Sequence, residues 1–194
     1  PGLTDVLKQD IDKGKEKVEE AFGHVKFDVV VGNPPYQETD GGANASASPT
    51  YQYFVGLSKS LNPNYISLIM PSRWYSGGKG LDRFRDEMLN DFNIRELYDF
   101  QNPEDVFPNT NIRGGVCVVN WDKNWDSKRD LTRVVTYENG EINEDIYRPM
   151  RYGDSEIFIR DYTSIKILEK VNMLTPLSEG RISEFVSPLR PHGF

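Results

Sequence analysis

The sequence predicts an α/β protein built on an open, partly parallel sheet, and three features carry that reading. Two apolar runs, Val29–Val31 and Tyr65–Met70, are separated by a helix-length segment, the spacing of a crossover between parallel neighbours. Strand and helix patterns then alternate as far as Tyr98. The next run, Ile112–Trp121, follows too closely to leave room for a crossover helix, so it is expected antiparallel to the strand before it.

Taken in order, residues 4–22 read as one helix. Thr4 can cap it, Leu7, Ile11, Val18 and Phe22 recur at helical spacing, and Gly14 is its weak point. The β-branched Val29, Val30 and Val31 form a strand expected to be buried on both faces. Gly32 ends it. Pro34 and Pro35 lack N–H groups and cannot extend a ladder, so the chain leaves the sheet as a stiff loop. Asn33 and Tyr36 are thereby placed at the strand's carboxyl end, where open α/β sheets bind ligands. Gln37 to Thr50, rich in Gly, Ala and Ser, is expected to be a mobile loop, either a cover for that site or a tolerated insertion.

A helix runs from Tyr51 to about Leu61 and stops at Asn62-Pro63-Asn64. The strand Tyr65–Met70 closes at Pro71, and the loop Ser72–Gly80 carries Arg73, Trp74 and Lys79. A helix at Leu81–Phe92 and a strand at Ile94–Tyr98 follow, then the turn Asp105–Asn109 and the strand Ile112–Trp121, entered through Gly114-Gly115. Thr132–Tyr137 and Ile142–Tyr147 flank Asn139-Gly140 and read as a β-hairpin. Asp161 caps a last helix to about Val171, and residues 174–194 carry no clear pattern.

Composition narrows the function classes. No apolar run approaches the roughly 20 residues that span a bilayer, so no membrane partner is expected. One cysteine, Cys117, excludes a disulfide framework and a cysteine-based zinc site, and fits a reducing cytoplasm. With two histidines, His24 and His192, no metal centre is expected. A formal charge of −7 argues against whole-surface nucleic-acid binding, leaving a local basic patch such as Arg73, Lys79 and Arg113. Each of these three reads more readily as a solvated surface charge.

The loop Asn33-Pro34-Pro35-Tyr36 suits a particular chemistry. An exocyclic amino group on adenine is a poor nucleophile because its lone pair is delocalised into the ring. The Asn33 carboxamide oxygen and the Pro34 carbonyl are placed to accept its two hydrogens, drawing the nitrogen towards a more nucleophilic geometry, while the Tyr36 ring offers a stacking surface. The plain alternative is a turn that ends a strand with a half-buried tyrosine.

This stretch resembles the catalytic motif of S-adenosylmethionine-dependent amino-methyltransferases, above all the adenine-N6 DNA methyltransferases of bacterial restriction–modification systems. Related loops occur in methyltransferases acting on protein glutamine and on RNA guanine, so the motif alone does not choose the substrate. The resemblance extends over residues 27–121. Tyr51 and Phe54 match a Tyr-x-x-Phe whose ring meets the cofactor's adenine in the family, Pro71 with Trp74 matches its next strand end, and Val106-Phe107-Pro108 matches the turn that completes the base pocket. Gly114-Gly115-Val116-Cys117 resembles the opening of the last strand in the restriction-associated branch.

The resemblance implies the second half of a seven-stranded, Rossmann-like methyltransferase sheet with an antiparallel last strand. It implies S-adenosylmethionine as methyl donor, with Asn33 and Phe54 on its site, and double-stranded DNA with a flipped adenine as substrate. Asn33, Pro34, Tyr36 and Phe107 are its expected catalytic and base-pocket residues. The family's glycine-rich cofactor loop and ribose-binding acids lie ahead of the Asn-Pro-Pro-Tyr segment, and only 26 residues precede Phe27. The chain is therefore expected to be a fragment, inactive alone, whose partners are the missing N-terminal half and a target-recognition domain. Residues 1–130 are expected to be the partial catalytic domain, and 131–194 a hairpin, helix and approach to target recognition. The alternatives are an RNA or protein-glutamine methyltransferase, and a non-catalytic DNA-binding or assembly subunit.

Overall fold

The computed structural model describes residues 2–38, 47–78, 80–110 and 112–174. They divide into two compact units, Pro1–Phe158 and Ile159–Phe194. The first opens with two helices where one was expected, α1 (Leu3–Gln9) and α2 (Ile11–Phe22). Asp10 breaks them apart: it adopts an extended conformation and its carboxylate accepts the Asp12 N–H, capping the second helix. Gly14 is buried where α2 passes α1, and a Cβ there would lie 2.2 Å from a Leu7 methyl. It is a point of close approach and not a weak point.

Strand β1 (Val29–Gly32) leads into two short strands, β2 (Gln37–Glu38) and β3 (Ser48–Pro49), which pair antiparallel. The expected loop over 37–50 is therefore a ribbon at both ends, and its middle, 39–46, lies outside the described residues. Helix α3 (Tyr51–Ser60) crosses over to β4 (Tyr65–Pro71), which runs parallel to β1 as its direct neighbour, as expected. A 3₁₀ turn at Ser72–Tyr75 and helix α4 (Asp82–Leu89) lead to β5 (Ile94–Phe100). Helix α4 stops three residues short of the expected Phe92, where the Asn90 side chain turns back onto the Asp86 carbonyl.

Strand β6 (Val116–Asp122) inserts between β4 and β5, antiparallel to both. Gly114 and Gly115 deliver it with φ of 92° and 88°, a backbone that glycine adopts freely. It is not the last strand. After the short helix α5 (Ser127–Asp130), β7 (Thr132–Glu138) pairs parallel with β5, and β8 (Glu141–Arg148) returns antiparallel through Asn139-Gly140, both at positive φ. The sheet is six-stranded and mixed, in the order β1-β4-β6-β5-β7-β8. The hairpin thus extends the central sheet and lies within the first compact unit, which ends at Phe158.

One face of the sheet carries the core. Ile66, Leu68, Met70, Cys117, Val119, Leu97 and Val134 pack with Tyr51 and Val55 of α3 and Phe84 and Met88 of α4. Trp74, fully buried, meets Tyr75 edge-on at 4.7 Å and Phe84 at 6.0 Å. The opposite face is wetter. Across one row, Ser67 donates to Asn120, Asn120 to Glu96, and Arg133 reaches Glu96 at 3.9 Å and Asp145 at 2.7 Å. Val29 and Val31 lie 52% and 71% exposed on the edge strand, so β1 is not covered on both faces as expected. The valine run conveyed strand propensity correctly; it did not convey what this chain places over the strand.

The second unit contains α6 (Tyr162–Leu174). Asp161 caps it as expected, accepting from the Ser164 N–H and hydroxyl, each at 2.7 Å. Residues 175–194 lie outside the described residues.

Candidate active site

The parallel pairing of β1 with β4 stops at Gly32 and Leu68, and the chain beyond Gly32 turns off the sheet. Since Pro34 and Pro35 have no N–H to donate, the loop cannot be held by its own amides there. Its fastening comes from the far end of the ribbon. The Thr50 hydroxyl donates to the Pro35 carbonyl at 2.7 Å, and the Thr50 N–H donates to the Tyr36 carbonyl at 3.2 Å. The Pro34 carbonyl has no donor among the described residues. Pro34 is buried and Asn33 is exposed at the strand end.

Tyr36 is half-buried, and its hydroxyl is buried without a partner in hydrogen-bonding geometry among the described residues. Burial pushes its phenol up to about 12, partly offset by the nearby Asn33 side chain. Tyr36 also walls a cleft of about 270 Å³, together with Tyr51, Pro71, Arg73, Ile112 and Arg113 among others. Tyr51 is 1% exposed and belongs to the core as well; burial holds its phenol far above the ordinary range. Cys117 is buried among the core strands, and desolvation raises its thiol to about 12, so it is a packing residue without nucleophilic character.

Arg73 and Arg113, both exposed, are brought to one cleft from segments forty residues apart in the chain, at the end of β4 and before β6. Lys79 lies outside the described residues. Phe54 is half-buried on α3 and is not part of the cleft wall. Phe107 is half-buried in the turn after the 3₁₀ segment Pro103–Asp105, where its N–H donates to the Pro103 carbonyl and its carbonyl accepts from the Thr110 hydroxyl. It too stands outside that wall. Thr50 and Ile112 are contributors that the sequence did not single out. A threonine before a helix signals a cap, and an isoleucine before two glycines signals a strand, so neither type of residue pointed to the cleft.

Among the described residues, no cluster of three or more His, Cys, Asp or Glu is placed to hold a metal ion, and no helix is long and apolar enough to cross a membrane.

An uncharacterized adenine-specific methylase of Mycoplasma pneumoniae is 34% identical over 110 residues, covering 55% of this chain and 26% of that protein. A methyltransferase subunit of the type I restriction–modification system of Streptococcus thermophilus superposes with a TM-score of 0.40 at 15% identity, over 81% of this chain and 33% of that one. A structure of a type I restriction–modification assembly gives 0.41 at 16% identity, over 84% and 33%. The chain thus spans about a quarter of the curated relative it matches. Residues 3–107 match the Eco57I restriction-modification methylase family, which is 105 of 194 residues and includes the whole Asn-Pro-Pro-Tyr loop. The chain belongs to the Eco57I restriction-modification methylase family.

Proposed function

We propose that this chain is the catalytic-loop half of an adenine-N6 DNA methyltransferase, working in the cytoplasm as part of a restriction–modification system. The observation that carries the reading is the fastened Asn33–Tyr36 loop at the carboxyl end of a parallel strand, whose Tyr36 walls a cleft that two arginines also line. The family match and the adenine-specific relative support it. The strand order β1-β4-β6-β5, with β6 antiparallel, fits the second half of a seven-stranded methyltransferase sheet.

In this reading the target adenine leaves the duplex and stacks on Tyr36, and Phe107 closes over it when DNA is bound. Asn33 accepts one N6 hydrogen through its side chain and Pro34 the other through its main chain, where no protein donor competes. The Pro34 carbonyl lies on a loop that Thr50 fastens before substrate arrives, so its hydrogen bond costs little reorganisation at the moment of reaction. Arg73, Arg113 and Lys79 contact the flanking phosphates as a local patch on an otherwise acidic chain.

S-adenosylmethionine is the methyl donor the family implies. Asn33 stands exposed at the strand end and Phe54 half-buried on α3, which fits one flank of its site, and these two residues would hold that flank. When bound, it supplies an electrophilic sulfonium methyl group. The other flank, and the reading of the DNA sequence, belong to a longer polypeptide carrying the first half of the sheet and a target-recognition domain, in line with the small share of the relative that this chain covers. Labelled methyl transfer by that longer protein onto DNA, RNA and protein acceptors tests the assignment. Label on adenine N6 of duplex DNA is expected, and label confined to RNA or to glutamine would overturn it.

A further inference from the structure

Thr50 occupies the N-cap position of α3 and is fully buried, yet its side chain makes no capping hydrogen bond. A threonine at that position ordinarily turns its hydroxyl onto the first amides of the helix, a contact worth about 1 kcal/mol. Here the hydroxyl points the other way. It donates to the Pro35 carbonyl at 2.7 Å, fifteen residues earlier, while the adjacent N–H donates to the Tyr36 carbonyl at 3.2 Å. Two consecutive carbonyls of the loop are therefore held by two donors of one residue, on a stretch whose prolines leave it short of donors of its own. The carbonyl just before them, that of Pro34, is left without a donor among the described residues.

We propose that Thr50 is the positioning residue of the Asn33–Tyr36 loop. It gives up the cap of α3 to fix the plane of the Pro35–Tyr36 peptide, and through it the angle of the Tyr36 ring and the direction of the Pro34 carbonyl. It touches neither substrate nor donor in this role. The inference rests on the function proposed above for the loop, but the fastening itself can be read without any catalysis.

The test uses the full-length protein with Thr50→Val, which keeps the shape and deletes the donor, and Thr50→Ser, which restores it. Hydrogen exchange of peptides spanning residues 33–38 is expected to rise about tenfold in the valine variant, with the strands β4 to β6 unchanged, and to return in the serine variant. The kcat for methyl transfer is expected to fall about ten- to hundredfold, as misplacement of reacting groups by an ångström does, with the KM for the methyl donor little moved. Thr50→Cys, of similar size but a weak donor, serves if valine prevents folding, and is expected to loosen the same peptides. Unchanged exchange in the donor-deleted variants overturns the proposal. So does unchanged kcat when Asn33→Ala, measured alongside, is inactive. Full turnover by Asn33→Ala would instead overturn the functional reading, and the exchange result alone would then decide whether Thr50 holds the loop.

Discussion

The two loop residues separate cleanly in what their substitution should do. Asn33 is exposed at a strand end, so Asn33→Ala should leave thermal stability within about 0.5 kcal/mol, the usual range for surface changes. Turnover of the full-length enzyme should nonetheless fall by roughly 10²–10³, the cost of losing one preorganised acceptor. An unfolded variant would point to a structural role. Tyr36→Ala removes the stacking surface and should weaken substrate engagement by about 1–3 kcal/mol. Tyr36→Phe should retain most activity, because it keeps the ring, and the hydroxyl it deletes is buried with no partner among the described residues. Comparable kinetics for the phenylalanine and alanine variants would assign the role to the hydroxyl and not the ring. Burial holds the Tyr36 phenol near 12, so its ionisation should not appear in a pH–rate profile below about pH 10.

At the scale of elements, the sequence conveyed strands and crossovers well and helix junctions poorly. The Val29–Gly32 strand, the crossover helix and the antiparallel entry of β6 all follow from local pattern and connection length, which are properties of a contiguous stretch. The break at Asp10 does not, because its periodic apolar residues continue through it and only the Asp10 backbone reveals the turn. Gly14 shows the same limit: helix propensity marks it as weak, whereas packing marks it as necessary. Alanine there would gain about 1 kcal/mol of helix propensity. It would also drive a methyl to 2.2 Å from a Leu7 carbon, in a side chain 1% exposed, at an overpacking cost of about 1–3 kcal/mol. Gly14→Ala is therefore expected to be destabilising in a urea melt. Gly56→Ala, whose new methyl meets only the partly exposed end of Ile11, should be better tolerated. Equal stabilisation by both would refute the close-approach role. The candidate site was legible in part: residue type marks the Asn33–Tyr36 loop, of which Tyr36 lines the cleft, while Thr50 and Ile112 enter only because the ribbon and the approach to β6 bring them back across the chain.

For the molecule as a whole, buried thiol and phenol groups contribute to the response to alkali. Desolvation raises Cys117 and Tyr36 each to about 12, so between their unfolded values and that pH the folded chain binds more protons than the unfolded one. Their contribution to stability is complete below about pH 9 and is lost as pH climbs from there towards 12. Stability flat from pH 9 to 11 would contradict the burial of these groups. The open side of β1 bears on cofactor binding. Its unpaired edge and its exposed Val29 and Val31 lie immediately beside Asn33, on the flank where the family places its glycine loop and acidic residues. Among the described residues, the exposed valine side chains of β1 are those of Val29 and Val31, which cannot hydrogen-bond a ribose or a carboxylate. The isolated chain should therefore give no saturable heat on calorimetric titration with S-adenosylmethionine, and it should transfer no methyl group to DNA. The exposed edge is expected instead to promote self-association, read as a concentration-dependent mass in sedimentation. Micromolar, saturable binding by the isolated chain would mean that these residues build a complete donor site, and that the division of labour with a longer polypeptide is wrong.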